Sequence, residues 1–239
     1  MVIVDDYNKW TWVKFLRSKD CPYDVFSSFC TQIQYEKEMK IFKVRSDHGG
    51  EFENEPFESF CEKHGIIHEF SSLRTPQQNG VLERKNRTLQ EMARTMIHEN
   101  NLAKHFWAEA VNTACYVQNR IYIRPILEKT AYEHFKGRRP NISYFHQFGC
   151  ICYILNNKLY LKKFDAKAQR GIFLGYSERS KAYRVNNSET LCVEESMHVK
   201  FDDKEHGNET LEQDESFADI QVPEDTSEPN QTSEYEDSP

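Results

Sequence analysis

The 239-residue sequence has no uninterrupted apolar run approaching the ~20 residues that a membrane-spanning helix needs. Its opening stretch, Met-Val-Ile-Val-Asp-Asp, lacks the basic and apolar regions of a signal peptide. A soluble, intracellular chain without a membrane partner is therefore expected. Cys-x-x-Cys pairs are missing too. The seven cysteines, at 21, 30, 61, 115, 150, 152 and 192, are odd in number and mostly sit in apolar stretches such as Ala114-Cys115-Tyr116. They read as reduced core residues, not as a disulfide or zinc framework. His64 and His68 are four apart, but Gly65 between them breaks the helix that would align both on a metal. No internal repeat is visible.

Cations are scarce at the end of the chain. Residues 202–239 hold 14 Asp and Glu against the single Lys204, a net −13, which leaves +6 on residues 1–201 out of a total of −7. A mildly basic body is compatible with a polyanionic partner. Beyond Asp203 the sequence has too little apolar content to repay ordering, so 204–239 is expected to be a disordered acidic tail. The remainder can bury one core of ordinary domain size plus a small second module.

Patterning along the body predicts mixed α/β structure. Met1–Leu16 alternates as a β-hairpin around Asp6-Tyr7-Asn8-Lys9. Asp20 is placed to cap a helix running from Pro22 to about residue 38. A short strand, Ile41–Arg45, leads to Ser46-Asp47-His48-Gly49-Gly50; a helix, Pro56–Lys63, is stopped by Gly65; and Ile66–Phe70 reads as another strand. Asn79 is placed to cap the longest helix, whose apolar stripe includes Leu89, Met92, Ala93 and Met96. Ala103–Gln118 forms one more helix, with Phe106, Trp107, Ala110 and Val111 toward the core. A basic linker over 123–143 then precedes a β-rich module at 144–203, built of short runs such as Phe148–Leu155 and Gly171–Tyr176.

Asp47 thus leaves the end of a strand, and Glu83 lies in the first turn of a helix, with 35 residues between them. Acids so placed can converge on one divalent cation, because hard ions such as Mg²⁺ prefer carboxylate oxygens and water. Taken singly, Asp47 also reads as an acid opening a Gly-rich turn, and Glu83 as one stabilising a helix N-terminus. Gln77, Asn79, Lys85, Asn86 and Arg87 offer amides and cations for phosphate near the same helix start, or else form a solvated face. Trp107 and the Met92/Met96 stripe read as core.

Several segments resemble the integrase core of plant copia-type retrotransposons: Val2-Ile-Val-Asp-Asp-Tyr, Arg45-Ser-Asp-His-Gly-Gly-Glu-Phe, Thr75-Pro-Gln-Gln-Asn-Gly-Val-Leu-Glu-Arg-Lys, and Phe106-Trp-Ala-Glu-Ala-Val-Asn-Thr-Ala. Lys129-Thr-Ala-Tyr-Glu, Lys163-Phe-Asp-Ala-Lys and Gly171-Ile-Phe-Leu-Gly-Tyr-Ser resemble the segment that follows the core in the same polyproteins. The resemblance implies an RNase H-like core over 1–122, with Asp47 and Glu83 as the second and third of three acids that bind Mg²⁺ or Mn²⁺ and insert element DNA into a target. The family's first acid belongs to a strand preceding the opening hairpin. On that reading the core lacks its first strand, binds metal weakly and is inactive as given. Asp5 and Asp6 are not substitutes: one opens the turn and the other is solvated or paired with a nearby cation. DNA (element ends and target), further copies of the chain and an intact integrase are the implied partners, with the nucleus as the site of action. Three readings stand side by side: an inactive integrase fragment, a nucleic-acid- or partner-binding protein derived from one, and a piece of a polyprotein that is active once upstream residues are restored.

Overall fold

The computed structural model describes residues 1–16, 22–50, 52–71, 79–125, 127–156 and 162–202. Gln77, the cap assigned to Asp20 and the tail expected over 204–239 lie outside these residues.

The chain opens with β1 (Val2–Val4) and β2 (Thr11–Val13), an antiparallel hairpin in which Ile3 faces Trp12. Asp5 starts its turn, accepting the backbone N–H groups of Tyr7 and Asn8 at 3.0 and 2.8 Å, while Asp6 pairs with Lys9. Both acids thus have the bland roles expected of them. Helix α1 (Pro22–Lys37) follows, then β3 (Lys43–Ser46), α2 (Glu55–His64) and β4 (Ile67–Phe70). Asn54 caps α2 by accepting from the Phe57 N–H. Gly65 ends it in the left-handed region, φ 64°, a conformation that costs glycine little. Strands β3 and β4 pair in parallel, and among the described residues nothing bridges β1 to β3. Ile3 and Val44 nevertheless pack around one core of Phe26, Phe29, Phe57, Phe60 and Ile66.

Helix α3 (Gly80–Glu99) and helix α4 (Trp107–Ile121) pack against each other through Leu89, Ala93, Ile97, Ala110 and Ala114. Fully burying Leu89 stabilises the pair by about 2 kcal/mol. Trp107 departs from expectation. It stays 37% exposed at the first residue of the helix, where the Ala110/Val111/Ala114 stripe to which it belongs runs out. Asn119 is instead buried, and its side-chain amide pairs with the backbone of Thr11 in both directions, at 3.0 and 2.8 Å. That amide acts as a strand partner for the outer edge of β2, where unpaired backbone groups would be costly.

The 123–143 segment, expected to be a linker, is structured. It contains β5 (Ile123–Arg124), β6 (Lys129–Thr130) and α5 (Ala131–Lys136), the last opened by a Thr130/Glu133 capping box. Phe135 of α5 stacks on Trp10 with ring centroids 4.4 Å apart, and Lys37 donates to the Phe135 carbonyl at 2.6 Å.

The β-rich module is one five-stranded antiparallel sheet. Its strands are β7 (Ile151–Leu155), β8 (Ala168–Tyr176), β9 (Tyr183–Asn187), β10 (Val193–Ser196) and β11 (Val199–Phe201), in the order β10-β9-β8-β7-β11. It is docked on α4: Thr113 donates to the Leu174 carbonyl at 2.7 Å, and Arg184 holds Glu109 through two bonds of 2.6 and 2.8 Å. Burial pushes the Cys30, Cys115 and Cys152 thiols up to about 12, which fits inert, reduced core residues.

Candidate functional site

Parallel strands gather their C-terminal ends on one side, and those ends are where α/β sheets place reactive groups. Strand β3 ends at Ser46 and β4 at Phe70, so Asp47 and Ser71 emerge side by side. The Ser71 N–H donates to the Ser46 carbonyl at 2.9 Å, and the Asn79 side-chain amide donates to Ser71 Oγ at 3.4 Å. Asn79 was expected to cap α3, but its side chain makes no capping bond and instead ties the helix start to the end of β4. These two bonds bring the first turn of α3, with Glu83, to the end of the sheet that carries Asp47. Both carboxylates are exposed. Asp47 Oδ1 accepts the Gly49 N–H at 3.3 Å.

Beneath Asp47, Ser46 is buried and its hydroxyl donates to the Asp47 carbonyl at 2.9 Å. His68 Nε2 lies 2.9 Å from the same Ser46 oxygen, within hydrogen-bond distance. The His68 ring sits against Phe57 and Phe70, at 4.8 and 4.2 Å, and burial lowers its pKa. His48 stacks on Phe70 at 4.9 Å. His64 packs separately on Phe60 at 4.5 Å. Sequence reasoning missed the Ser46–His68 pair. Its one linear signal is a serine placed just before the strand-end acid.

The helix residues singled out for phosphate contact fare differently from one another. Lys85 turns into the seam between α3 and α4, where it donates to Gln118 at 2.9 Å and desolvation lowers its pKa. Asn86 is exposed and accepts from Gln90. Arg87 is exposed. At i, i+4 and i+11, Glu83, Arg87 and Arg94 lie along one exposed stripe of α3, and Arg94 had not been singled out. Among the described residues no group of three or more His, Cys, Asp or Glu side chains is arranged to hold a metal ion. No described helix is long and apolar enough to cross a membrane.

The fold is thus an α/β unit followed by a docked antiparallel module, and residues 150–215 match the family described as the retroviral polymerase SH3-like domain. Over 205 residues, 86% of its length, the chain is 36% identical to the retrovirus-related Pol polyprotein from transposon TNT 1-94 of Nicotiana tabacum. Over 204 residues it is 30% identical to that from transposon RE2 of Arabidopsis thaliana. It spans about 15% of the length of these relatives. A solved structure, the HTLV-2 integrase catalytic core domain in complex with magnesium, is similar with 21% identity and a TM-score of 0.42, over 55% of this chain and 80% of that one. The chain is a homologue of plant copia-type Pol polyproteins over about 85% of its length.

Proposed function

We propose that residues 1–122 are the DNA-joining core of a retrotransposon integrase and that Asp47 and Glu83 are two of its metal-binding carboxylates. The observation that carries this reading is the Ser46–Ser71–Asn79 hydrogen-bond path, which brings the turn holding Glu83 to the strand end holding Asp47. The residues fit Mg²⁺ or Mn²⁺ in part, as two exposed hard oxygen donors at one sheet end. Bound there, such an ion supplies Lewis acidity for phosphoryl transfer. The protein's own groups do the rest. Ser46 and His68 hold the Asp47 turn, Asn79 positions α3, and Asn86, Arg87 and Arg94 face the phosphates, while Lys85 braces the helix pair from behind. Gln77, two positions before Asn79 in the sequence, belongs to the same proposed contact set.

A working two-ion site needs a further carboxylate from outside the described residues. With Asp47 and Glu83 alone, weak Mn²⁺ binding and no joining of DNA ends are expected. Titration with Mn²⁺, followed by its paramagnetic signal, tests the assignment: Asp47→Asn and Glu83→Gln should each abolish the weak binding. Binding that survives both substitutions would remove the metal assignment. DNA ends, target DNA, further copies of the chain or an intact integrase are the partners this reading calls for, and the nucleus is where it would act.

The exposed Arg87/Arg94 stripe, together with the lack of a three-ligand group among the described residues, favours a second reading: a nucleic-acid-binding protein without catalysis. Affinity for duplex DNA that falls steeply with salt, unchanged by Asp47→Asn, would select it.

A further inference from the structure

The charge of this chain is sharply divided along its length. Residues 203–239 carry 13 acidic side chains and the single Lys204. Cationic side chains stand on the sheet whose edge strand that segment follows. Side chains alternate along a strand, so Arg170, Ile172 and Leu174 of β8 share one face. Leu174 is buried and Ile172 partly buried against the α3–α4 core, and the face leaves the core at Arg170, which is exposed. Strand register sets Arg170 opposite Tyr153 of β7, and Tyr153 opposite Lys200 of β11, in one row across three strands. Lys162, Lys163 and Lys167, all exposed, stand in the turn that leads into β8. Among the described residues, the side chains of Arg170, Lys162, Lys163 and Lys167 have no ion-pair partner.

Strand β11 ends at Phe201, and the Asp202 N–H donates to the Ile151 carbonyl at 3.1 Å. Asp202 thus lies at the end of the edge strand beside β7, two residues past Lys200 of that row. The 37 residues that follow reach at most ~120 Å, against about 5 Å between neighbouring strands. Tethering gives such a segment an effective concentration on the order of mM at the face.

We propose that the acidic segment 203–239 docks in cis on the face formed by Lys162, Lys163, Lys167 and Arg170 and competes there with other polyanions. Single exposed ion pairs contribute little, so the contact is held by summed opposite charge and is sensitive to salt. The intramolecular contact stands independently of the integrase reading. Competition with nucleic acid rests on that reading.

Zero-length carbodiimide cross-linking of the full chain, with mass spectrometry, tests the contact directly. Carboxylates from Glu209 to Asp237 should join Lys162, Lys163 and Lys167 far more often than Lys40 or Lys63. These joints should fade at about 1 M salt, where the screening length is ~3 Å. Even spread over all exposed lysines would overturn the proposal. So would joints between isotope-labelled and unlabelled copies, which would make the occupant a partner copy. Arg170→Glu combined with Lys163→Glu and Lys167→Glu should disperse the joints, and persistence in that variant would also overturn it. In the full chain with Glu212, Asp214, Glu215 and Asp219 changed to Gln or Asn, a 20-base-pair duplex should bind roughly ten-fold more tightly. Equal binding by both forms would count against competition. Loss of duplex binding in both forms would defeat the nucleic-acid reading, and the cross-links alone would then decide the docking.

Discussion

At the scale of single residues, Gly175 and His68 show how closely local chemistry is tied to the site and its support. Gly175 sits at φ 134°, and a Cβ there would lie 2.0 Å from Thr113 Oγ1, the hydroxyl that donates to Leu174. Gly175→Ala combines backbone strain with a clash against a buried partner and is expected to cost about 3 kcal/mol, read as a lower urea midpoint. A midpoint unchanged from wild type would mean that α4 and β8 yield more easily than their packing suggests. His68 has a pKa depressed below 6.5 by burial. The unfolded chain takes up that proton first, so the histidine's contribution is present above about pH 6.5 and is lost as pH falls below it. Denaturation midpoints should thus drop between about pH 7.5 and 5.5 in wild type and drop less in His68→Gln; an equal drop in both would assign the pH dependence elsewhere. Asp47 and Glu83 could be proposed from the sequence because short motifs carry them. Ser46–His68 and Asn119–Thr11 were not, because each pairs residues that are near only in the fold, across 22 and 108 positions.

At the scale of elements, most strands and helices follow from patterning, with ends displaced by one to three residues in the hairpin, α2, β4 and β8. The exceptions are β5, β6 and, above all, α5, whose six residues are too few for periodicity to reveal. It holds because Phe135 stacks on Trp10, Lys37 reaches its carbonyl, and Lys136 pairs with Glu36 at 2.7 Å. Phe135→Ala should cost about 2 kcal/mol and strip hydrogen-exchange protection from α5 while leaving α3 protected. Protection that persists through α5 would show that its capping box is enough. Helix α3 shows the same dependence on context. Asn79 has the right identity for a cap, yet its amide is drawn to Ser71 by the neighbouring strand end.

At the scale of the whole molecule, the α/β unit and the SH3-like module share one apolar cluster, in which Phe148 and Leu174 join Leu89, Ala93 and Phe106. Shared burial couples their stability, so calorimetry of the full chain should give a single transition over residues 1–202. Two resolved transitions would mean that the modules unfold separately. The sequence by itself determined most element types, the division into an α/β part and a β part, the charge split, and the interval between Asp47 and Glu83. These depend on local periodicity, composition and short motifs. Only the tertiary structure decided that the 123–143 segment is packed in place, that Lys85 faces inward, that Ser46, Ser71 and Asn79 tie Glu83's helix to Asp47's strand, and that Arg170 lines up with Tyr153 and Lys200. Each of these depends on which distant surfaces are pressed together, and burial and hydrogen-bond completion settle that only once the whole chain is folded.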